Sequence, residues 1–409
     1  MEIIQERCAG LDVHKKSVFV CVRRLSGKKL TKEVRKYGTM THELEQLCDW
    51  LKQLGVTHVA MEATGVFWKP VWNILETHFE LLLINPRDVK KVPGRKTDVK
   101  DCEWICELLQ YGLLRPSFVP TKDIRQLRDL TRSRTKLIEH KTSVVNRIHK
   151  VLQDANIKLS SVATDALGVS GRAMIRAMVA GNEDPIALAE LAKQRLRSKI
   201  PELRLALKGH VNEHHRFLLQ RYMSQLESVE AEIHLFDERI AQLMAPFEQL
   251  IDLLITIDGV ERYTAECIIA EVGPSMNQFH SAAALASWAG VCPGNDSSAG
   301  KRRSGKTAKG SRWLRRALAQ AAWGAARSKN TYLSVQYKRI ASKRGKKRAI
   351  VAVSHSILIA AYHVLKYRVP YRDLGPDHFD KLNKTRLTKY LVKRLESLGH
   401  KVTLEADAA

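Results

Sequence analysis

The chain has 409 residues, 44% of them apolar, and carries 68 Lys and Arg against 43 Asp and Glu, a formal charge of +25. That length and apolar share exclude global disorder and leave room for two or three domains. So large a positive excess repels itself unless a polyanion neutralises it, and phosphate backbones are the commonest polyanions in a cell.

No run approaches 18 consecutive apolar residues, and the first residues lack a basic start followed by an apolar core, so neither a membrane span nor a signal peptide is expected. The seven cysteines are scattered and odd in number, which fits a reducing, cytoplasmic setting. Cys102 and Cys106 lie close together without a companion Cys or His set, and read as helix packing residues.

In chain order, 8–13 and 17–22 are short β-rich runs, and after Ser26-Gly27-Lys28 a third strand is expected over 30–37. Thr41 is placed to cap a helix whose stripe is Leu44, Leu47, Trp50, Leu51 and Leu54. Strand 56–61, helix 68–78 and strand 79–84 follow, so the opening segment reads as a mixed sheet layered with helices.

The middle reads as helical. Leu127, Leu130, Leu137, Val144, Ile148 and Leu152 form a first stripe. Tyr222, Leu226, Val229, Ile233, Phe236, Ile240, Leu243 and Phe247 alternate spacings of four and three, a coiled-coil seam that packs within the chain or pairs with a second copy; an extended helical arm that helps oligomerisation is the favoured expectation. Next, 254–260 and 264–273 read as two short helices around a glycine turn, either an ordinary hairpin or one that offers N–H groups to a phosphate. Beyond residue 370, Lys381, Lys384, Arg386, Lys389, Lys393 and Arg394 are interspersed with Leu382, Leu387, Leu391 and Leu395, which predicts a small amphipathic helix that packs or meets a polyanion. These shifts divide the chain at 1–120, 121–250, 251–370 and 371–409.

Two segments carry chemistry. Asp12 ends the first strand, Glu62 follows the strand 56–61, and Asp98 and Asp101 sit three apart on one face of a helix beginning near 97. Four carboxylates together repel unless divalent cations neutralise them, and Mg2+ suits oxygen ligands while leaving positions for phosphate and water. Taken singly, each aspartate of the pair is equally a helix cap. His14 lies near enough to Asp12 to shape a phosphate site, or is an exposed turn residue.

The second segment is Gly294-Asn295-Asp296-Ser297-Ser298-Ala299-Gly300, followed by Lys301, Arg302, Arg303, Lys306, Lys309, Arg312, Arg315 and Arg316. Gly294, Gly300, Gly305 and Gly310 are expected to prevent a regular element over most of it. A hydroxyl among so many cations is either a phosphate contact or a nucleophile towards a phosphodiester. Trp313, Trp323, Tyr332 and Tyr337 are stacking platforms or core.

Together these segments resemble the IS110 family of insertion-sequence transposases. Gly10-Leu11-Asp12-Val13-His14-Lys15, Met61-Glu62-Ala63-Thr64-Gly65 and Lys96-Thr97-Asp98-Val99-Lys100-Asp101 look like its acidic motifs. Ala289 to Gly294, Ser298-Ala299-Gly300-Lys301 and Lys309 to Arg315 stand in the order of its C-terminal domain. The resemblance implies an α/β RuvC-like, ribonuclease H-like first domain with Asp12, Glu62, Asp98 and Asp101 as a DEDD set, a helical coiled-coil middle and a mainly α C-terminal domain. It further implies Ser298, with Ser297 as its neighbour, as a serine nucleophile in DNA transposition. Guidance by a structured RNA, and assembly as a homodimer or homotetramer, belong to the same expectation. The alternatives are a metal-dependent nuclease that uses water and a non-catalytic nucleic-acid-binding protein.

Overall fold

The computed structural model describes residues 3–27, 29–86, 98–293, 296–298, 301–304, 307–382 and 384–405, with the backbone alone at 98–99, 296–298 and 301–304. The chain divides into two compact units, Met1–Val119 and Pro120–Ala409.

The first unit is built on a five-stranded sheet in the order β3-β2-β1-β4-β5, with β1 at Arg7–Val13, β2 at Ser17–Ser26, β3 at Lys29–Gly38, β4 at His58–Glu62 and β5 at Glu80–Ile84. β1 runs antiparallel to β2 and parallel to β4, and β4 runs parallel to β5. Alternation along the strands assigns the two faces. Ala9, Leu11, Val13, Val59 and Met61 pack with Leu44, Leu47 and Leu51 of α1 (Thr41–Gln53) and Val71, Trp72 and Leu75 of α2 (Trp68–Leu75). Cys8, Cys21, Ala60 and Ile84 pack with Cys102, Ile105, Cys106 and Leu109 of α3 (Asp98–Gln110) on the other face. The expected elements are present in order. Thr41 is the first helical residue rather than the cap; Met40 caps α1, and the Glu43 carboxylate accepts its N–H at 3.2 Å.

In the second unit, α4 (Lys122–Asp154) lies antiparallel along a helix at Glu213–Met244. Asp154 meets His215 at 2.9 Å, His140 meets Gln225 at 3.2 Å, and Arg134 meets Asp237 at 2.9 Å. Between them, α5 (Leu159–Val162), α6 (Val169–Val179), α7 (Pro185–Glu190) and α8 (Ile200–Ala206) wrap the far end, so the Glu213–Met244 helix is α9. The heptad seam is covered by α4 of the same chain in part: Leu226, Val229 and Ile240 are buried, while Tyr222, Ile233, Phe236, Leu243 and Phe247 are half-buried. The stripe along α4 holds at Leu127, Val144, Ile148 and Leu152 but changes character between them. Leu130 and Leu137 are half-buried, and Thr131, Arg134 and Thr135 take the buried positions.

The rest comprises α10 (Glu248–Ile255), α11 (Arg262–Val272), α12 (Ala282–Ala289), the strands β6 (Asp296–Ser298) and β7 (Lys301–Ser304), α13 (Arg312–Arg327), α14 (Tyr332–Arg344), α15 (Lys346–Tyr367), α16 (His378–Leu382) and α17 (Lys384–Ser397). α15 is long and apolar enough by composition to cross a membrane. Its Val353, Ile357, Leu358 and Ala361 are instead buried, and α10, α12, α13 and α14 pack around it, so it is the core helix of this region. The glycine turn between α10 and α11 is an ordinary hairpin packed inward. A Cβ on Gly259 (φ 79°) would lie 2.2 Å from the Ala321 carbonyl oxygen of α13, so only glycine allows the approach.

Candidate active site and nucleic-acid interface

Parallel pairing of β1 with β4 sets Leu11 opposite Met61, so Asp12 and Glu62 occupy the next positions at the same end of two neighbouring central strands. By alternation both belong to the face that carries Cys8, Gly10 and Ala60, the face covered by α3. α3 runs antiparallel to β1: Cys106 lies at Cys8, while Cys102 and Cys106 lie at Gly10. A Cβ on Gly10 would stand 2.3 Å from the Cys106 nitrogen and 2.5 Å from the Cys102 oxygen, so the missing side chain is what brings helix and sheet backbones together.

Continuing that antiparallel course, the first turn of α3 heads towards the Asp12 end of β1. Position 98 is one helical turn before Cys102, on the row that faces the sheet, and its side chain lies outside the described residues. Asp101 is half-buried. Asp12 is almost wholly buried, with a carboxylate oxygen 3.1 Å from His14 Nε2. Among the described residues no three His, Cys, Asp or Glu side chains converge as a metal-holding group. Cys102 and Cys106 are packing residues as read: both are fully buried, and burial pushes the Cys102 thiol up to about 12.

The Gly/Ser segment contains regular structure, contrary to expectation. β6 and β7 form an antiparallel hairpin in which Asp296 faces Ser304, Ser297 faces Arg302 and Ser298 faces Lys301, with a register shift between Asp296 and Ser297. The glycines fall outside the paired residues, which leaves 296–298 and 301–304 free to pair. Ser298 thus stands at the last pair; its side chain, like those of Lys301, Arg302 and Arg303, lies outside the described residues, as does the whole of Lys306. The hairpin's root is clasped. A Cβ on Gly310 would lie 2.1 Å from the Ala289 carbonyl oxygen, and Pro293 bridges Thr307. Arg315 donates to Thr307 Oγ1 at 3.1 Å, and Arg316 pairs with Glu139. Lys309 and Arg312 are exposed.

Sequence reasoning missed what holds this root in place. Glu271 is buried and accepts both Nε and Nη2 of Arg132 (2.7 and 2.9 Å) and the hydroxyl of Ser311 (3.0 Å), the residue that caps α13. Arg128 adds hydrogen bonds to the Ala270 and Glu271 carbonyls at the end of α11. The available signal was two acids, Glu266 and Glu271, inside an otherwise apolar helix: buried charge is retained only when paired. Of the aromatic candidates, Tyr332 stacks on Phe379 at 4.9 Å and Tyr337 packs by Trp323 at 5.9 Å. Trp313 is ringed by cations, with Arg312, Lys136 and Arg132 at 4.4, 5.5 and 5.9 Å from its ring. It helps line an open cleft of 640 Å³.

A mixed sheet with carboxylates on neighbouring strand ends, joined in one chain to a strongly basic helical unit, defines a nucleic-acid-processing class of enzyme. Residues 9–157 match the DEDD-type IS110 transposase family, and residues 251–338 match the transposase family described as IS116/IS110/IS902. The chain belongs to the IS110 family and is a DNA transposase. It is 26% identical over 277 residues to a protein of Pseudomonas aeruginosa named probable family 20 transposase, an alignment spanning 67% of this chain and 72% of that one. A Thermus thermophilus RuvC structure aligns with 27% of this chain and 99% of its own at 15% identity and a TM-score of 0.22.

Proposed function

We propose that this transposase cuts and rejoins DNA through a Mg2+-dependent acidic site and a serine nucleophile. The observation that carries the reading is the β1–β4 register, which sets Asp12 and Glu62 side by side at one end of the sheet, with the first turn of α3 directed towards them. The first domain is read as RuvC-like, within the ribonuclease H superfamily, and Asp12, Glu62, Asp98 and Asp101 as its carboxylate set. Oxygen donors of this kind fit a hard divalent cation. Such a cation supplies charge neutralisation at the scissile phosphate. Sheet pairing holds Asp12 and Glu62 with little freedom to lose, and His14, 3.1 Å from Asp12, orients that carboxylate.

Ser298, at the end of the β6–β7 hairpin, supplies the attacking oxygen. A bond from its Oγ to phosphorus replaces the P–O bond broken in the strand, and a strand hydroxyl later reverses the exchange, so the linkage is conserved throughout. Lys301, Arg302, Arg303, Lys306, Lys309, Arg312, Arg315 and Arg316 hold phosphate backbones. A structured guide RNA, assembly as a homodimer or homotetramer and a cytoplasmic location complete the reading.

The test is to incubate the protein and its copurifying RNA with donor DNA and Mg2+, then to resolve products under denaturing conditions. Wild type gives a covalent protein–DNA adduct. Ser298→Ala loses adduct and strand exchange while DNA binding stays within about twofold, and Asp12→Asn lowers cleavage by roughly a hundredfold or more. Free cut ends with Ser298→Ala, at the wild-type rate, would overturn the serine step. Unchanged cleavage in both Asp12→Asn and Glu62→Gln would overturn the acidic site.

A further inference from the structure

We infer that the C-terminal helix α17 is a presented DNA-binding element that tracks the backbone of duplex DNA outside the reaction site. The inference rests on the chain's acting on DNA and goes beyond the residues assigned above, because α17 lies past both family-matched stretches, which end at residues 157 and 338. Two observations combine. The segment before it is clamped to the folded unit: Phe379 stacks on Tyr332 at 4.9 Å, His378 meets the same ring edge-on at 5.2 Å, and Asp380 pairs with Arg339 at 3.0 Å. Yet α17 itself buries none of its 14 residues. Among the described residues only Leu387, Thr388 and Val392 of α17 are even half-buried, and a helix anchored at its root with its cations exposed is held out for a partner.

Its charge states which partner. Lys384, Arg386, Lys389, Lys393 and Arg394 stand against the single acid Glu396. At 100° per residue, Arg386, Lys389 and Lys393 share one face, while Lys384 stands in line with the opposite row of Leu387, Leu391 and Leu395 and Arg394 stands beside it. Cations therefore lie on both faces of the helix. Pairing this helix with its own copy would bring two such cationic sets together and is opposed by their repulsion, whereas phosphates neutralise them with release of counterions. Geometry favours duplex DNA over duplex RNA, since the B-form major groove admits an α-helix and the deep, narrow A-form groove does not.

The experiment measures binding to a fluorescent DNA duplex as salt is raised, for the full chain, for a chain ending at Leu382, and for the full-length K384Q/R386Q/K389Q/K393Q/R394Q variant. Each phosphate contact contributes about 0.9 to the slope of log affinity against log salt, so both altered proteins should lose roughly 3 to 4.5 from the slope. A loss below about 1 in both overturns the inference. So does a variant whose only change is a smaller oligomer by light scattering, or weaker binding to duplex RNA or to anionic vesicles. If the full chain itself binds duplex with no salt dependence, the DNA reading fails; if it binds normally and the variants match it, only the role of α17 fails.

Discussion

The acidic strand ends and the root of the serine hairpin both depend on glycines that bring backbones into contact, yet they are held in opposite ways. At the acidic edge, Gly10 lets α3 sit on β1, and the surroundings are apolar: Cys8, Cys21, Cys102, Ile105 and Cys106, all fully buried. At the hairpin root, Gly310 lets the returning chain sit on Ala289, and the surroundings are ionic: Glu271 between Arg132 and the Ser311 cap of α13. Apolar packing tolerates small shifts and sets distance. A buried carboxylate with three donors sets direction, since each hydrogen bond fails when the angle changes. The difference suits the two proposed roles, strand ends that only have to hold carboxylates close and a hairpin that has to be aimed.

The largest break falls on the ionic side. Glu271→Ala leaves Arg132 and the Ser311 hydroxyl without their shared acceptor, and should cost about 3–5 kcal/mol of stability in denaturant unfolding. A loss under about 1 kcal/mol would mean that the network does not hold the hairpin root. The apolar side should respond less, but through position. Gly10→Ala forces a methyl against the Cys106 nitrogen and Cys102 oxygen, so α3 has to move away; about 1–3 kcal/mol is expected. DNA cleavage should fall further than that loss of stability explains, because Asp101 moves with the helix. Cleavage that simply follows the folded fraction would separate α3 from the site.

The two sides also differ in how far they were legible. β1, β2, β4 and β5 follow from short β-rich runs between turn signals, because central strands covered on both faces carry near-continuous apolar runs, and the start of α3 follows from the spacing of Asp98 and Asp101. The ends of those strands then place Asp12 and Glu62 without further information. The hairpin was read as irregular because four glycines within seventeen residues mask the short runs between them, and pairing of three residues with three leaves no periodic trace. Nor does any local pattern announce that Glu271 meets Arg132, 139 residues away. Polar networks are set by which helices meet, and that choice lies in tertiary packing. Along α4 the same contrast appears inside one helix, where the stripe succeeds at Leu127, Val144, Ile148 and Leu152 and gives way at Leu130 and Leu137 to the buried Thr131, Arg134 and Thr135.

A second, more exposed ion pair sharpens what burial adds. Between α9, α6 and α4, Glu230 takes both Nη1 and Nη2 of Arg172 at 2.6 and 2.7 Å and is 2.8 Å from Lys141. The Arg172 hydrogen bonds, assisted by Lys141, hold its carboxyl down at about 2 against a usual 4.5. Because the folded value is the lower one, the pair's contribution is complete above about pH 4.5 and fades as pH falls towards 2. Glu230→Gln should therefore cost roughly 1–2 kcal/mol near neutral pH, solvent screening having reduced it, and the gap to wild type should close on acidification. Unfolding midpoints for both proteins across that range test it. A gap that persists at pH 2 would assign the loss to packing rather than charge, and the contrast with Glu271 would then rest on burial of the side chain rather than on burial of its ionisation.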